Sequence, residues 1–116
     1  MKFLIVDKNE SMRRTIGRLI CEEGDEMVEC DDGDEAPSLY ERHRPDWVLL
    51  DMMMSDRGGV QAAQGILGID AKARIIMVTD YGDRFFRKAA IDAGAVGFVA
   101  KENVAELKNI IRRASV

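Results

Sequence analysis

The sequence is poor in several features that would otherwise direct its reading. Only two prolines, Pro37 and Pro45, occur in 116 residues. No Pro-rich linker therefore divides the chain, and residues 1–116 read as one domain of ordinary size. No apolar run approaches the ~20 residues of a membrane span. The N-terminal run, Phe3 to Val6, is too short for the roughly 7–15-residue core of a signal peptide. The two cysteines, Cys21 and Cys30, form no CxxC pair and no metal spacing, and read as reduced thiols of a cytoplasmic protein. The single histidine, His43, has no second His, Cys or Ser nearby to serve, and is expected on a surface loop beside Pro45. Basic residues are outnumbered, 17 Lys plus Arg against 21 Asp plus Glu, for a net charge of −4. That balance argues against direct binding of nucleic acid or an anionic membrane. Neither GxxxxGK[ST] nor GxGxxG occurs, so a flavin or nucleotide binder of α/β architecture would lack its phosphate cradle. Residues 22–35 contain nine acids and no base. Without the D-x-[DN]-x-[DN]-G spacing of a calcium loop they read as a solvated face, able at most to steer a basic partner.

What is present is a repeating pattern. Five short apolar runs, Phe3 to Val6, Met27–Val28, Trp47 to Leu50, Ile75 to Val78 and Val96 to Ala100, are mostly β-branched or aromatic and suit strands buried on both faces. Between them lie helical spacings. Met12, Ile16, Leu19 and Ile20 form one apolar stripe, and Val104, Leu107, Ile110 and Ile111 another, each opposed by Arg or Lys. A second helix is expected from Gly33–Asp34, with Pro37 in its first turn, to just before Pro45. A third, from Gly59 to Ile69, is weakened by Gly65 and Gly68 at about 1 kcal/mol each. A fourth is expected from Asp83 to Ala93, stopping at Gly94. Five β-α units imply a doubly wound parallel sheet of order 2-1-3-4-5 with helices on both faces. Ligands of such a sheet bind beyond the carboxyl ends of its strands, at the switch point between strands 1 and 3.

The residues at those ends carry chemistry. Strand 1 runs into Asp7, strand 3 into Asp51, strand 4 into Thr79 and Asp80, and strand 5 into Lys101. Polar residues close most strands, so one alone means little. Two carboxylates, a hydroxyl and an ammonium at one sheet edge suit a hard cation with oxygen ligands, such as Mg²⁺, together with phosphoryl oxygens.

The segments FLIVDKNE (3–10), VLLDMMMSDRGG (48–59), IIMVTD (75–80) and GFVAKE (97–102) resemble the receiver domain of bacterial two-component response regulators, in order, spacing and strand context, over essentially the whole chain. The resemblance implies a flavodoxin-like fold and phosphorelay signalling. Asp51 matches the phosphoacceptor, Thr79 the hydroxyl that follows the phosphoryl group, and Lys101 the lysine that pairs with it. Phe98 matches the aromatic position that reports activation to the face made by helix 4, strand 5 and helix 5. Met54 and Gly59 match the loop after the phosphoacceptor. It further implies a Mg²⁺ site built from Asp7, Asp51 and the backbone carbonyl of Met53, and a histidine kinase or phosphotransfer protein as donor. Catalysis would amount to self-phosphorylation and self-dephosphorylation at most. No effector accompanies the domain in this sequence, so its output is expected through another protein or a missing domain.

The main departure is Lys8. The family usually has two adjacent acids after strand 1, the second being the principal metal-binding carboxylate; here the pair is Asp7-Lys8. A divalent cation about 5 Å from a unit charge at an effective dielectric of ~20 interacts by roughly 6 kcal/mol. Even after screening, this exchange of sign is expected to lower Mg²⁺ affinity by more than about one decade. Two arrangements are open. Lys8 extends into water on its long stem, or its ammonium takes the metal's place on Asp51 and the domain acts as an atypical, phosphorylation-independent interaction module. Smaller departures are Asp80 beside Thr79, Ser55 in place of a frequent proline, and Glu102 in place of the proline that often follows the lysine, where a trans peptide is expected. The Met52-Met53-Met54 run reads as packing material. Arg13, Arg14 and Arg18 form a basic patch on helix 1. By family analogy it is a kinase-docking surface; an ordinary charged helix face would look the same.

Overall fold

Residues 1–53, 58–80 and 84–114 are described, from a computed structural model. Strands β1 (Lys2–Val6), β2 (Glu26–Cys30), β3 (Trp47–Asp51), β4 (Ile75–Thr79) and β5 (Gly97–Ala100) alternate with helices α1 (Glu10–Ile20), α2 (Ala36–His43), α3 (Gly58–Ile69), α4 (Arg84–Asp92) and α5 (Glu106–Ala114). The sheet is parallel with order β2-β1-β3-β4-β5, as the alternating pattern predicts.

The strands are buried on both faces, and their side chains alternate between two cores. Leu4, Val6, Val48, Leu50, Ile75 and Met77 pack with Tyr40, Ala63, Ile66 and Ala90 of α2, α3 and α4. Phe3, Ile5, Trp47, Leu49, Ile76, Val78 and Val99 pack with Ile16, Ile20, Leu107 and Ile111 of α1 and α5. In the register Val6 lies opposite Leu50, and Asp51 opposite Val78. One step past Val6, Asp7 is therefore level with Asp51.

Several boundaries differ from the sequence expectation for local reasons. α2 begins at Ala36 and not at Gly33–Asp34. Asp32 first makes a turn: its Oδ1 accepts from the Asp34 N–H at 2.9 Å and its carbonyl from the Glu35 N–H at 3.1 Å. His43 is the last residue of α2 and half-buried, not a surface-loop residue. Arg44 closes that helix in the left-handed conformation, φ 46°. Of the two glycines that weaken α3, Gly65 has a packing explanation, while a Cβ on Gly68 would meet nothing among the described residues. A Cβ on Gly65 would lie 2.8 Å from Cγ of Pro37, so glycine there lets α2 approach α3 closely. α5 begins at Glu106, after a 3₁₀ turn over Lys101–Asn103; Val104 precedes the helix and caps its apolar stripe from outside. The peptide after Lys101 is trans. The expected start of the fourth helix, Asp83, lies outside the described residues. No helix among the described residues is long and apolar enough to cross a membrane.

Candidate functional site

Among the described residues the buried polar side chains are Asp7, Asp51 and Thr79, at 2%, 5% and 0% exposure. They stand at the carboxyl ends of the three central strands. A fold hides such groups only when something specific compensates them, and for the two carboxylates the compensating group is Lys101. Its Nζ lies 3.1 Å from Oδ2 of Asp7, 3.3 Å from Oδ2 of Asp51 and 3.9 Å from Oδ2 of Asp80. β5 delivers Lys101 to this position as the first residue after Ala100.

The two carboxylates are held differently. Oδ1 of Asp51 accepts the Met53 N–H at 3.1 Å, and its Oδ2 accepts from Lys101. Oδ1 of Asp7 accepts the Asn9 N–H at 2.8 Å. Oδ2 of Asp7, though close to Lys101, is buried without an aligned hydrogen bond. It is a desolvated acceptor with capacity to spare. Burial pushes the Asp51 carboxyl above the usual range. The Met53 N–H and Lys101 oppose this, and neighbouring Asp7 adds to it. Burial also pulls the Lys101 ammonium down, but the close carboxylates of Asp7 and Asp51 outweigh that and hold it above its ordinary value.

The other residues of the sequence reading fall around this centre. Thr79 ends β4, fully buried, one step past the level of Asp51. Asp80 is largely exposed yet lies within reach of Lys101. Phe98 is half-buried on β5 opposite Met77 and lines an open groove with Arg87, Val96 and Ile110. Lys8 is exposed, and the ammonium on Asp51 belongs to Lys101; among the described residues no ion pair joins Lys8 to either buried carboxylate. Met52 is core, whereas Met53 is half exposed, so the methionine run is packing material only in part. Met54 and Ser55 lie outside the described residues.

Two features were not legible from residue types. Gly59, matched above only by resemblance, has a physical reason. A Cβ there would collide with the carbonyl oxygen of Asp51 and come within 2.8 Å of Cα of Met52. The Gly59 N–H meanwhile donates to the Met52 carbonyl at 2.8 Å. The start of α3 thus clamps the end of β3 that carries Asp51. The second feature is Arg13, which the sequence places in a basic patch. Its side chain is turned inward, with Nη1 donating to the Asp7 carbonyl at 2.6 Å.

A Mg²⁺ ion takes one or two carboxylates and completes its shell with water and phosphoryl oxygens. The desolvated Oδ2 of Asp7 and the carboxylate of Asp51 beside it fit that requirement at its minimum. Among the described residues no group of three or more acids, Cys or His gathers for a metal.

Against known proteins, residues 3–112 match the model of the response regulator receiver domain. The chain is 38% identical to chemotaxis protein CheY of Halobacterium salinarum, over 84% of this chain and 82% of that protein. It is 39% identical to CheY of Bacillus subtilis, over 86% and 84%. Among solved structures, the CheX–CheY–BeF3–Mg²⁺ complex from Borrelia burgdorferi superposes with a TM-score of 0.89 at 27% identity, covering 100% of this chain and 90% of that one. Sheet order, buried strand-end acids and sequence likeness over almost the full length agree: the chain belongs to the receiver domains of two-component response regulators.

Proposed function

We propose that this domain accepts a phosphoryl group on Asp51 from a histidine kinase or phosphotransfer protein. The observation that carries the proposal is the convergence of the buried carboxylates of Asp7 and Asp51 on the ammonium of Lys101, with the buried Thr79 at the end of the next strand. Asp51 needs no general base, because a carboxylate is the nucleophile in its ionised form. One of its oxygens attacks phosphorus in line with the departing group. A P–O bond forms to give an acyl phosphate, and the leaving group takes the electrons of the bond that breaks. Lys101 already contacts Oδ2 of Asp51, so it can follow charge onto the phosphoryl oxygens without crossing the pocket. Thr79, at the next level of the sheet, offers a hydroxyl donor. Mg²⁺, when bound by Asp7, Asp51 and the Met53 carbonyl, would neutralise the equatorial oxygens.

The output reading is the face of α4, β5 and α5. Phe85, Ile91 and Val96 are large apolar residues exposed in this region, more than a solvated surface requires. Within α4 only Ala90 is fully buried, with Phe86 and Ala89 partly buried beside it, a lighter anchorage than that of the central strands. Phe98 lies on β5 between α4 and the groove, where a rearrangement at Thr79 could be passed on.

A second reading is favoured by one observation. Lys101 already spans both buried carboxylates, and Lys8 stands where the family resemblance implies a second acid. An ammonium on both acids together with a lysine at position 8 supports the alternative of an atypical receiver that acts as a phosphorylation-independent interaction module. The test is incubation with a small phosphodonor, with and without Mg²⁺, followed by a search for an acid-stable, base-labile adduct that Asp51→Asn abolishes. The phosphoacceptor reading expects the adduct; the interaction-module reading expects none. Lys8→Asp is expected to raise Mg²⁺ affinity by about tenfold or more, from the charge reversal beside Asp7. A titration of the Asp51 amide signal by NMR measures this, and equal affinities would remove Lys8 as the weakening element.

A further inference from the structure

We propose that Arg13 is a positioning residue that sets the Asp7 carboxylate for its role in the site, and that its place in the basic patch of α1 is incidental. The proposal rests on the reading of Asp7 as a working carboxylate of the phosphoryl-transfer site.

Arg13, Arg14 and Arg18 look alike in the sequence, but the structure separates them. The Arg14 guanidinium reaches along the helix surface to Glu10 at 2.7 Å, with both side chains exposed. The Arg13 side chain is only 14% exposed and reaches in two directions. Its Nε donates to Oε1 of Glu29 on β2 at 3.0 Å, and its Nη1 donates to the Asp7 carbonyl at 2.6 Å. The planar fork of an arginine is suited to holding two acceptors at fixed separation.

The second contact matters because of what else holds Asp7. Its N–H donates to the Cys30 carbonyl at 3.0 Å, which continues the β1–β2 ladder one step beyond the strand. Its carboxylate accepts from the Asn9 N–H. The same Asn9 caps α1, its side-chain oxygen accepting the Met12 N–H at 3.1 Å, and its carbonyl accepts the Arg13 N–H at 3.1 Å. Arg13 thus closes a ring of contacts through Asp7, Asn9 and the first turn of α1, and ties it to the edge strand through Glu29. With the Arg13 side chain removed, the Asp7 carbonyl loses this partner, and the turn between Asp7 and Asn9 is left held by the Cys30 carbonyl and the Asn9 N–H. The carboxylate oxygen aimed at the pocket then moves with it. Groups that orient a metal ligand in this way are worth about 10–100-fold in affinity or activity.

The test uses the whole chain and four variants: Arg13→Ala, Arg13→Lys, Glu29→Ala and, as control, Arg14→Ala. NMR follows the Asn9 amide and the Asp7 carboxyl carbon without metal, then through a Mg²⁺ titration. Arg13→Ala is expected to shift both signals while the folded spectrum persists, and to weaken Mg²⁺ binding by about tenfold. Arg13→Lys, able to reach one acceptor at a time, recovers part of the loss. Glu29→Ala gives a smaller shift of the same signals, and Arg14→Ala leaves them in place. If Arg13→Ala does not fold, Arg13→Lys and Glu29→Ala decide by the same signals. Asn9 and Asp7 signals coincident with those of the parent overturn the proposal. Failure of the parent to form a phosphoryl adduct would overturn the phosphoacceptor reading instead, and the metal-free spectra still decide Arg13.

Discussion

Methionine in place of Lys101 should destabilise the fold by about 3 kcal/mol at neutral pH, the cost typical of leaving buried charges without their partner. The Lys101 side chain is 13% exposed, and those of Asp7 and Asp51 are 3% and 6% exposed. Methionine fills a similar volume, so the packing loss is small and the electrostatic loss dominates. Two desolvated carboxylates would then face each other across adjacent strands. The sign with pH follows from the raised Lys101 pKa. A cation whose folded pKa exceeds its unfolded value contributes fully below the unfolded value, about 10.4, and loses its contribution as pH rises through the folded one. At neutral pH the whole contribution is therefore present to be lost. In acid the carboxylates protonate and the variant should approach the parent. At about 4 °C per kcal/mol for a chain of this size, Tm falls by about 12 °C at pH 7. Equal Tm values at pH 7 would mean that Lys101 does not hold both acids in solution.

Asn in place of Asp51 should act in the opposite direction. The amide keeps the shape of the carboxylate and an oxygen for the Met53 N–H, but removes a buried charge and its repulsion with Asp7. Lys101 is then left to Asp7. The Asp51 carboxyl is raised in the fold, first by burial, so between the ordinary value near 3.9 and the raised one the folded state binds more protons than the unfolded state. Stability contributed by this group therefore falls as pH rises through that window and stays reduced above it. Asp51→Asn removes the penalty, raising stability by about 1–2 kcal/mol at neutral pH, with the gain fading as pH falls through that window and gone below about pH 4. Urea unfolding at pH 7 and pH 3 measures both values. A loss of stability at pH 7 would place Asp51 among groups kept for structure.

These opposite signs show why the site was more legible in the sequence than its detail. Asp7, Asp51, Thr79 and Lys101 each follow an apolar run, and a parallel sheet of this order brings strand ends together whatever the side chains do. Fold and site location thus rest on patterning, which the chain carries openly. Contacts between side chains do not follow from spacing. Arg13 and Arg14 are indistinguishable as letters; one faces Asp7 and the other water because α1 turns by about 100° per residue. The start of α2 shifted because Asp32 competes for the backbone N–H groups that a helix would use, a local contest that helical periodicity does not register. Gly65 looked like a weakness of α3 until Pro37 was found against it. For Lys8 the sequence leaves two arrangements open, because whether it turns outward or takes the metal's place depends on which ammonium reaches Asp51. In the fold that group comes from β5.

The most direct measurement is the intact mass of the chain after incubation with a small phosphodonor, with and without Mg²⁺, run in parallel on Asp51→Asn. The predicted result is the gain of one phosphoryl group by the parent, stable in acid and lost in base, modestly favoured by Mg²⁺ and absent from the variant. No gain by the parent under either condition, or the same gain by Asp51→Asn, would contradict Asp51 as the phosphoacceptor.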